Sequence, residues 1–123
     1  MGVLEEPISE EIELKNYIDG EWAESGSSEV KQILNPATLK PLARVPVGHR
    51  DDVKAAVDAA VEAFPGWRRT TPLTRSRYLL RLVQLLEDNF EELSRVITME
   101  HGKIIDEARG EVRRGIENVE VAA

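Results

Sequence analysis

The 123-residue sequence contains no cysteine, which excludes disulfide bonds, thiolate metal sites and a cysteine nucleophile among these residues. It also contains no apolar run that approaches the roughly 20 residues of a membrane-spanning helix. Its first residues are acidic, whereas those of a signal peptide are basic. These absences predict a protein of the reducing cytoplasm that does not enter a membrane.

Positive charge is absent from residues 1–13, and five glutamates there carry most of the formal net charge of −7. An acidic chain with interspersed bases is a poor candidate for binding nucleic acid or an anionic membrane surface. Pro7 argues against a helix in this region. We therefore predict that residues 1–14 form a flexible acidic tail.

Motifs for metal and phosphate binding are also missing. His49 and His101 are the only histidines, and neither has a second ligand at metal spacing. The sequence has no G-x-G-x-x-G or Walker loop. The carboxylates fall on mixed charged faces, as in the pair Lys54 and Asp58 at i, i+4 spacing. No metal-binding, cofactor-binding or catalytic residue is predicted in this segment.

Short β-prone segments over about residues 16–47 predict antiparallel strands. The pair Asp19-Gly20 separates two of them and favours a type I′ hairpin turn, which needs positive φ at both central residues. Two further strands are predicted at residues 30–34 and 42–47, joined by the turn cluster Asn35 to Thr38. Pro41 and Pro46 indicate that the second of these is an edge strand, because proline donates no backbone hydrogen bond.

Helices are predicted over about residues 51–64, 72–101 and 105–122. The first has apolar residues at i, i+3, i+4, i+7, i+8 and i+11, namely Val53, Ala56, Val57, Ala60, Val61 and Phe64. Pro65 and Gly66 predict its end. Strands followed by amphipathic helices give the fold class α+β.

The region 72–101 begins with a capping signal, Thr71 followed by Pro72 at the first helical position. Its apolar residues nearly encircle the helix, and they include Leu79, Leu80, Leu82, Val83, Leu85 and Leu86. Such density indicates burial on more than one side. Asp88 and Asn89 are candidate interruptions that would divide this region into two helices and give four helices in all. Gly102 predicts the end of the region.

The last helix carries two glycines, each of which costs about 1 kcal/mol relative to alanine and therefore suggests close approach by backbone or ligand. One face is apolar and comprises Ile105, Ala108, Val112, Ile116 and Val119. Arg114 lies on the opposite face with Gly110. Its guanidinium is either solvated or paired with Glu111 or Glu117, or it is directed at the carboxylate or phosphate of a ligand.

Several motifs taken together resemble the N-terminal part of the aldehyde dehydrogenases. Four of them are typical of much of the superfamily: KNYIDGEW at 15–22, NPAT at 35–38, ARVP at 43–46 and EHGK at 100–103. The fifth, EARGEVRRGIENVE at 107–120, resembles the CoA-acylating methylmalonate-semialdehyde dehydrogenases. One departure is Val121, which stands where that subfamily has an aromatic residue. The resemblance covers residues 15–123, nearly the whole chain.

The resemblance implies that residues 15–123 are the N-terminal segment of a cofactor-binding domain in an α/β subunit. In that family a cysteine attacks the aldehyde, NAD accepts hydride, carbon dioxide is lost and CoA takes the acyl group. The family's arginine for the substrate carboxylate maps onto Arg114. The cysteine, the glutamate base, the cofactor strands and a second substrate arginine would follow Ala123, so no activity or cofactor binding is expected of these residues alone.

A second interpretation is a stand-alone, truncated module without catalysis, whose exposed helical faces bind a second copy or another partner. The first interpretation instead expects the remainder of a dehydrogenase subunit as the partner. A reading frame that continues past codon 123 into a glycine-rich cofactor region and a cysteine motif would favour the enzyme, and a native stop codon would favour the module.

Overall fold

The computed structural model describes residues 6–123, which divide into two compact units. The first unit contains residues 10–34 and 41–69, with five strands and one helix. Its elements are β1 (Ile12–Glu13), β2 (Asn16–Ile18), β3 (Glu21–Ala23), β4 (Val30–Leu34), β5 (Pro41–Pro46) and α1 (Arg50–Arg69). The second unit contains residues 6–9, 35–40 and 70–123. Its helices are α2 (Pro72–Asp88), α3 (Phe90–His101) and α4 (Ile105–Ala122).

The predicted hairpin is confirmed in the strand unit. β2 and β3 pair antiparallel with Tyr17 opposite Trp22, and their rings lie 5.0 Å apart between centroids. Asp19 and Gly20 have φ values of 53° and 79°, the left-handed pair that a type I′ turn requires.

In the other sheet, two predictions from the sequence are wrong. Its order is β1-β5-β4, so β5 is the central strand and not an edge strand. Pro41 and Pro46 are tolerated because they are the first and last residues of β5, outside the stretch whose N–H groups the sheet needs. Its second neighbour is β1, which pairs parallel to it and lies within the segment predicted to be a flexible tail. Residues 1–5 of that predicted tail lie outside the described residues.

The sequence predicts that helix α1 ends at Pro65. In the structure the helix continues to Arg69. Only the final turn follows the proline, so the lost hydrogen bond lies near the helix end. Arg68 and Arg69 in that turn place positive charge at the negative end of the helix dipole, which stabilises the extension.

The candidate interruption at residues 88–89 is confirmed at Asn89, which ends α2 and precedes α3. The side-chain Nδ2 of Asn89 donates to the carbonyl of Leu85 at 2.7 Å, in place of a continued helix. The Thr71 cap is also confirmed, since its Oγ1 accepts the backbone N–H of Thr74 at 3.3 Å.

Gly102 ends α3, as the sequence predicts, with a left-handed φ of 84°. A Cβ at this position would lie only 3.0 Å from Cγ of Pro36, which belongs to the Asn35 turn. Positive φ and this close approach both require glycine here. The turn at Gly102 sends the chain from α3 into α4 within three residues.

The core of the helical unit is the apolar face of α4, which packs against α2 and α3. Ala108, Val112 and Ile116 are buried, as the helical spacing predicts. Ser94 of α3 is buried beside this core, and its hydroxyl donates to the carbonyl of Phe90 at 2.7 Å. This packing fixes the orientation of α4 in the unit, so its opposite face, with Arg114, is directed outward.

Much of the apolar surface of α1 and α2 is exposed. No residue of either helix is buried, and both helices lie wholly within the described residues. Val57 is 54% exposed on α1 and Leu80 is 53% exposed on α2. No helix formed by residues 6–123 combines the length and apolar character needed to cross a membrane.

Candidate functional site

Three arginines follow one another along α4, and two of them are fully engaged within the helical unit. Arg109 donates to both carboxylate oxygens of Glu91, at 2.9 and 2.8 Å, and to Asp106 at 2.9 Å. These partners raise the pKa of Arg109 above its usual value, with Glu91 the larger cause. Each nitrogen of Arg109 therefore has a carboxylate partner, and the pair with Glu91 links α4 to α3.

Arg113 is engaged in the same way with α2. Both of its terminal nitrogens bond to the carboxylate of Glu87, and its guanidinium lies 4.9 Å from the centroid of the Phe90 ring. The Glu87 carboxylate raises the pKa of Arg113 above its usual value. A bidentate pair with an aromatic stack is typical of a structural arginine.

Arg114 is different, because no residue among 6–123 forms a hydrogen bond with its guanidinium. Its one ionic neighbour is Glu111, with 3.8 Å between Nη2 and Oε1, which is too long for a hydrogen bond. The Arg114 side chain is 67% exposed. The expected pairing with Glu111 is thus present only as a loose contact, and the donors of Arg114 remain available.

The Glu111 carboxylate is held by another residue. Lys103, in the short link between α3 and α4, donates to the same Oε1 atom that faces Arg114. This ammonium group lowers the pKa of Glu111, with a smaller contribution from Arg114. Lys103, Glu111 and Arg114 therefore form one cluster of two positive charges and one negative charge, which we call the α4 cluster.

The two glycines of α4 have different surroundings. A Cβ on Gly110 would lie 3.6 Å from Nη1 of Arg114, so Arg114 extends over Gly110. A Cβ on Gly115 would have no heavy atom within 4 Å among the described residues. The close approach that two glycines suggest is thus seen only at Gly110, and there its neighbour is the arginine itself.

His49 lies in the loop before α1, and His101 is the last residue of α3. Within residues 6–123, no group of three or more histidine, aspartate or glutamate side chains is arranged to hold a metal ion. The exposed pair Lys54 and Asp58 forms the expected i, i+4 ion pair.

Asp52 in the strand unit is a carboxylate whose importance the sequence does not reveal. It accepts hydrogen bonds from the backbone N–H of Gly26 at 3.0 Å, the hydroxyl of Ser25 at 2.5 Å and the N–H of His49 at 2.8 Å. These bonds, that of Gly26 first, lower its pKa to about 2. Asp52 thus caps α1 and fixes the loop at Ser25, which is a structural role.

The lowered pKa of Asp52 predicts a pH-dependent stability of the strand unit. The stabilisation is complete above the ordinary pKa of 3.8 and is lost as pH falls toward about 2, because the unfolded carboxyl takes up its proton first. In a complete subunit that carries this segment, Asp52→Asn should lower the melting temperature at pH 7 by several degrees and flatten its fall between pH 4 and 2. Thermal melts across pH check this, with Asp58→Asn as control; an unchanged acid slope in Asp52→Asn would contradict it.

Comparison with known proteins identifies the family. The model of the aldehyde dehydrogenase family matches residues 22–123. This chain belongs to the aldehyde dehydrogenase family. The short strands and four helices of residues 6–123 match the N-terminal part of that fold, which confirms the fold expected from the resemblance.

Individual relatives show which members of the family this chain is similar to. A malonate-semialdehyde dehydrogenase of Bacillus velezensis is 50% identical over 116 residues, which are 94% of this chain and 24% of the relative. A methylmalonate-semialdehyde dehydrogenase structure from Sinorhizobium meliloti, in complex with NAD, is 41% identical with a TM-score of 0.86, covering 92% of this chain and 23% of that one. Aldehyde dehydrogenase C of Pseudomonas syringae, in complex with NAD+ and octanal, is 38% identical with a TM-score of 0.84, covering 88% and 22%. The chain thus spans about a quarter of the length of these relatives.

Proposed function

We propose that residues 15–123 are the N-terminal portion of an NAD-dependent, CoA-acylating malonate-semialdehyde or methylmalonate-semialdehyde dehydrogenase. The net reaction converts malonate semialdehyde, NAD+ and CoA to acetyl-CoA, carbon dioxide and NADH. Membership of the aldehyde dehydrogenase family supports the reaction type. The similarity to malonate-semialdehyde dehydrogenases at about half identity supports the substrate class.

The observation that carries this proposal is the availability of Arg114. Of the three arginines of α4, it is the one whose guanidinium has no hydrogen bond within the described residues, and its side chain is 67% exposed. A planar guanidinium with free donors is suited to bind a carboxylate through two parallel hydrogen bonds. We assign to Arg114 the recognition of the carboxylate that distinguishes a semialdehyde acid from a simple aldehyde.

The cofactors belong to the proposal for the complete enzyme, where NAD would accept hydride and CoA would accept the acyl group. We assign no cofactor-binding or catalytic residue to this segment, because its sequence contains neither a glycine-rich phosphate loop nor a cysteine. A cytoplasmic location is part of the same proposal, since a cysteine-free segment needs no oxidising compartment.

The direct test compares substrates in a complete subunit that carries this segment. With NAD+ and CoA present, kcat/KM should be higher for malonate semialdehyde and methylmalonate semialdehyde than for propanal, which has the same chain length as the former and no carboxylate. Equal kcat/KM values for all three aldehydes would contradict the proposal.

The alternative, a stand-alone interaction module, rests on one observation, the exposed apolar residues of α1 and α2. Such residues are also expected if the remainder of a dehydrogenase subunit covers them. Both possibilities predict that these apolar residues associate with another surface when nothing covers them, because exposed apolar patches beyond a few hundred Å² mark association sites.

We therefore predict that the 123-residue chain alone self-associates, or exists as a loosely packed helical species that binds a hydrophobic dye. Sedimentation velocity at micromolar concentration and dye fluorescence measure this. Leu80→Glu should weaken the association more than Glu62→Gln, since Leu80 is an exposed apolar residue of α2. A compact monomer with a cooperative thermal transition and no dye binding would show that the chain closes its own core.

A further inference from the structure

The α4 cluster contains a partly buried lysine, Lys103, to which the proposed contact between Arg114 and the substrate gives no role. Its side chain is 25% exposed and its ammonium group bonds to Oε1 of Glu111. The same oxygen lies 3.8 Å from Nη2 of Arg114. One carboxylate oxygen is therefore shared unequally between two cations, and the lysine holds it more closely.

This unequal sharing has a consequence for Arg114. Glu111 lies three residues before Arg114 on α4, a spacing at which a carboxylate and a guanidinium readily form a close ion pair. Arg109 and Arg113 show that close pairing with carboxylates is the usual state of arginines on this helix. Arg114 has no such close pair because the nearest carboxylate, that of Glu111, is directed toward Lys103.

We infer that Lys103 is a positioning residue that keeps Glu111 away from Arg114 and so keeps the guanidinium available to a substrate carboxylate. Lys103 acts through Glu111 and does not touch the substrate. The inference rests on the proposed function of Arg114, and it adds a determinant of affinity for the carboxylated substrate. The conformation of the Gly102 turn places Lys103 for this role, since Gly102 directs the chain into the link between the two helices.

The test is a set of variants in the complete subunit, assayed with malonate semialdehyde and with propanal. Lys103→Met should raise KM for malonate semialdehyde about two- to fivefold, the range expected for one ion pair at the protein surface. The kcat value and both constants for propanal should not change, which separates positioning from misfolding. Lys103→Arg should retain the wild-type KM, because arginine can also hold Glu111.

Two double variants separate the route through Glu111 from a simple loss of charge. Lys103→Met combined with Glu111→Gln should return KM to the wild-type value, because the competing carboxylate is gone. In the Arg114→Ala background, Lys103→Met should have no further effect, because non-additivity is expected of residues that act on one another. Lys54→Met, which breaks a more exposed lysine–carboxylate pair on α1, is the control and should leave KM unchanged.

The outcomes are distinguishable. If Arg114→Ala abolishes the carboxylate preference while Lys103→Met leaves KM unchanged, this inference is overturned and the proposed function stands. If Lys103→Met raises KM equally with and without Arg114, the lysine attracts the substrate directly and the inference is likewise wrong. If Arg114→Ala leaves the preference intact, the role proposed for Arg114 fails, and the inference fails with it.

Discussion

Replacing Arg114 with alanine in a complete subunit should raise KM for malonate semialdehyde about tenfold to a hundredfold, since a charge-assisted hydrogen bond contributes about 1.5–3 kcal/mol. KM for propanal should change little, because propanal has no carboxylate to lose its partner. Steady-state kinetics with both aldehydes at saturating NAD+ and CoA measure the difference. The selective loss reflects the open donors of Arg114, which no described residue occupies.

Two controls accompany this variant. Arg81→Ala removes another exposed arginine, on α2, and should leave both KM values unchanged. Arg114→Lys keeps the charge but loses the planar pair of donors, so its KM should lie between those of the wild type and Arg114→Ala. Equal losses on propanal and on malonate semialdehyde would show that Arg114 is structural.

The second large effect concerns the 123-residue chain alone, which should produce no NADH from malonate semialdehyde, NAD+ and CoA. The acyl-enzyme thioester that precedes transfer to CoA requires a cysteine thiol, and these residues contain no cysteine. Tight binding of NAD or CoA is not expected either, because the sequence has no phosphate-binding loop.

Absorbance at the NADH band measures turnover, and calorimetric titration with each cofactor measures binding. The complete subunit in the same mixture is the positive control, and a buffer blank sets the background. NADH formation above that blank by a rigorously purified sample of the 123-residue chain would show that residues other than a cysteine supply the nucleophile.

Features that depend on neighbouring residues could be predicted from the sequence. The Asp19-Gly20 turn, the Thr71 cap and the end of α3 at Gly102 each depend on one side chain, or its absence, acting on adjacent backbone. The last helix was predicted with its observed bounds because its apolar face is regular. Local chemistry is sufficient in all of these cases.

Features that depend on pairing between distant residues could not be predicted. Ile12–Glu13 pair with β5 over about thirty residues of sequence, and nothing in this acidic segment marks it as a strand. That pairing makes β5 central, so the prolines alone gave the wrong position in the sheet. The continuation of α1 past Pro65 has a local cause instead, because Arg68 and Arg69 stabilise the last turn while the proline alone predicts an earlier end.

Only part of the candidate site could be predicted from the sequence. Arg114 follows from the resemblance, and its contact with Glu111 follows from the helical spacing. The contact between Lys103 and Glu111 spans eight residues across a turn, so it depends on the left-handed backbone at Gly102. The ion pairs of Arg109 and Arg113 with carboxylates distinguish these two residues from Arg114. Both pairs depend on the packing of α2 and α3 beside α4, which could not be predicted from the sequence.

The most direct measurement of the central claim is the product stoichiometry of a complete subunit supplied with malonate semialdehyde, NAD+ and CoA. The proposed function predicts equal amounts of NADH, carbon dioxide and acetyl-CoA, with turnover that depends on CoA. NADH accompanied by free malonate, with no carbon dioxide and no requirement for CoA, would show a hydrolytic aldehyde dehydrogenase and would contradict the account.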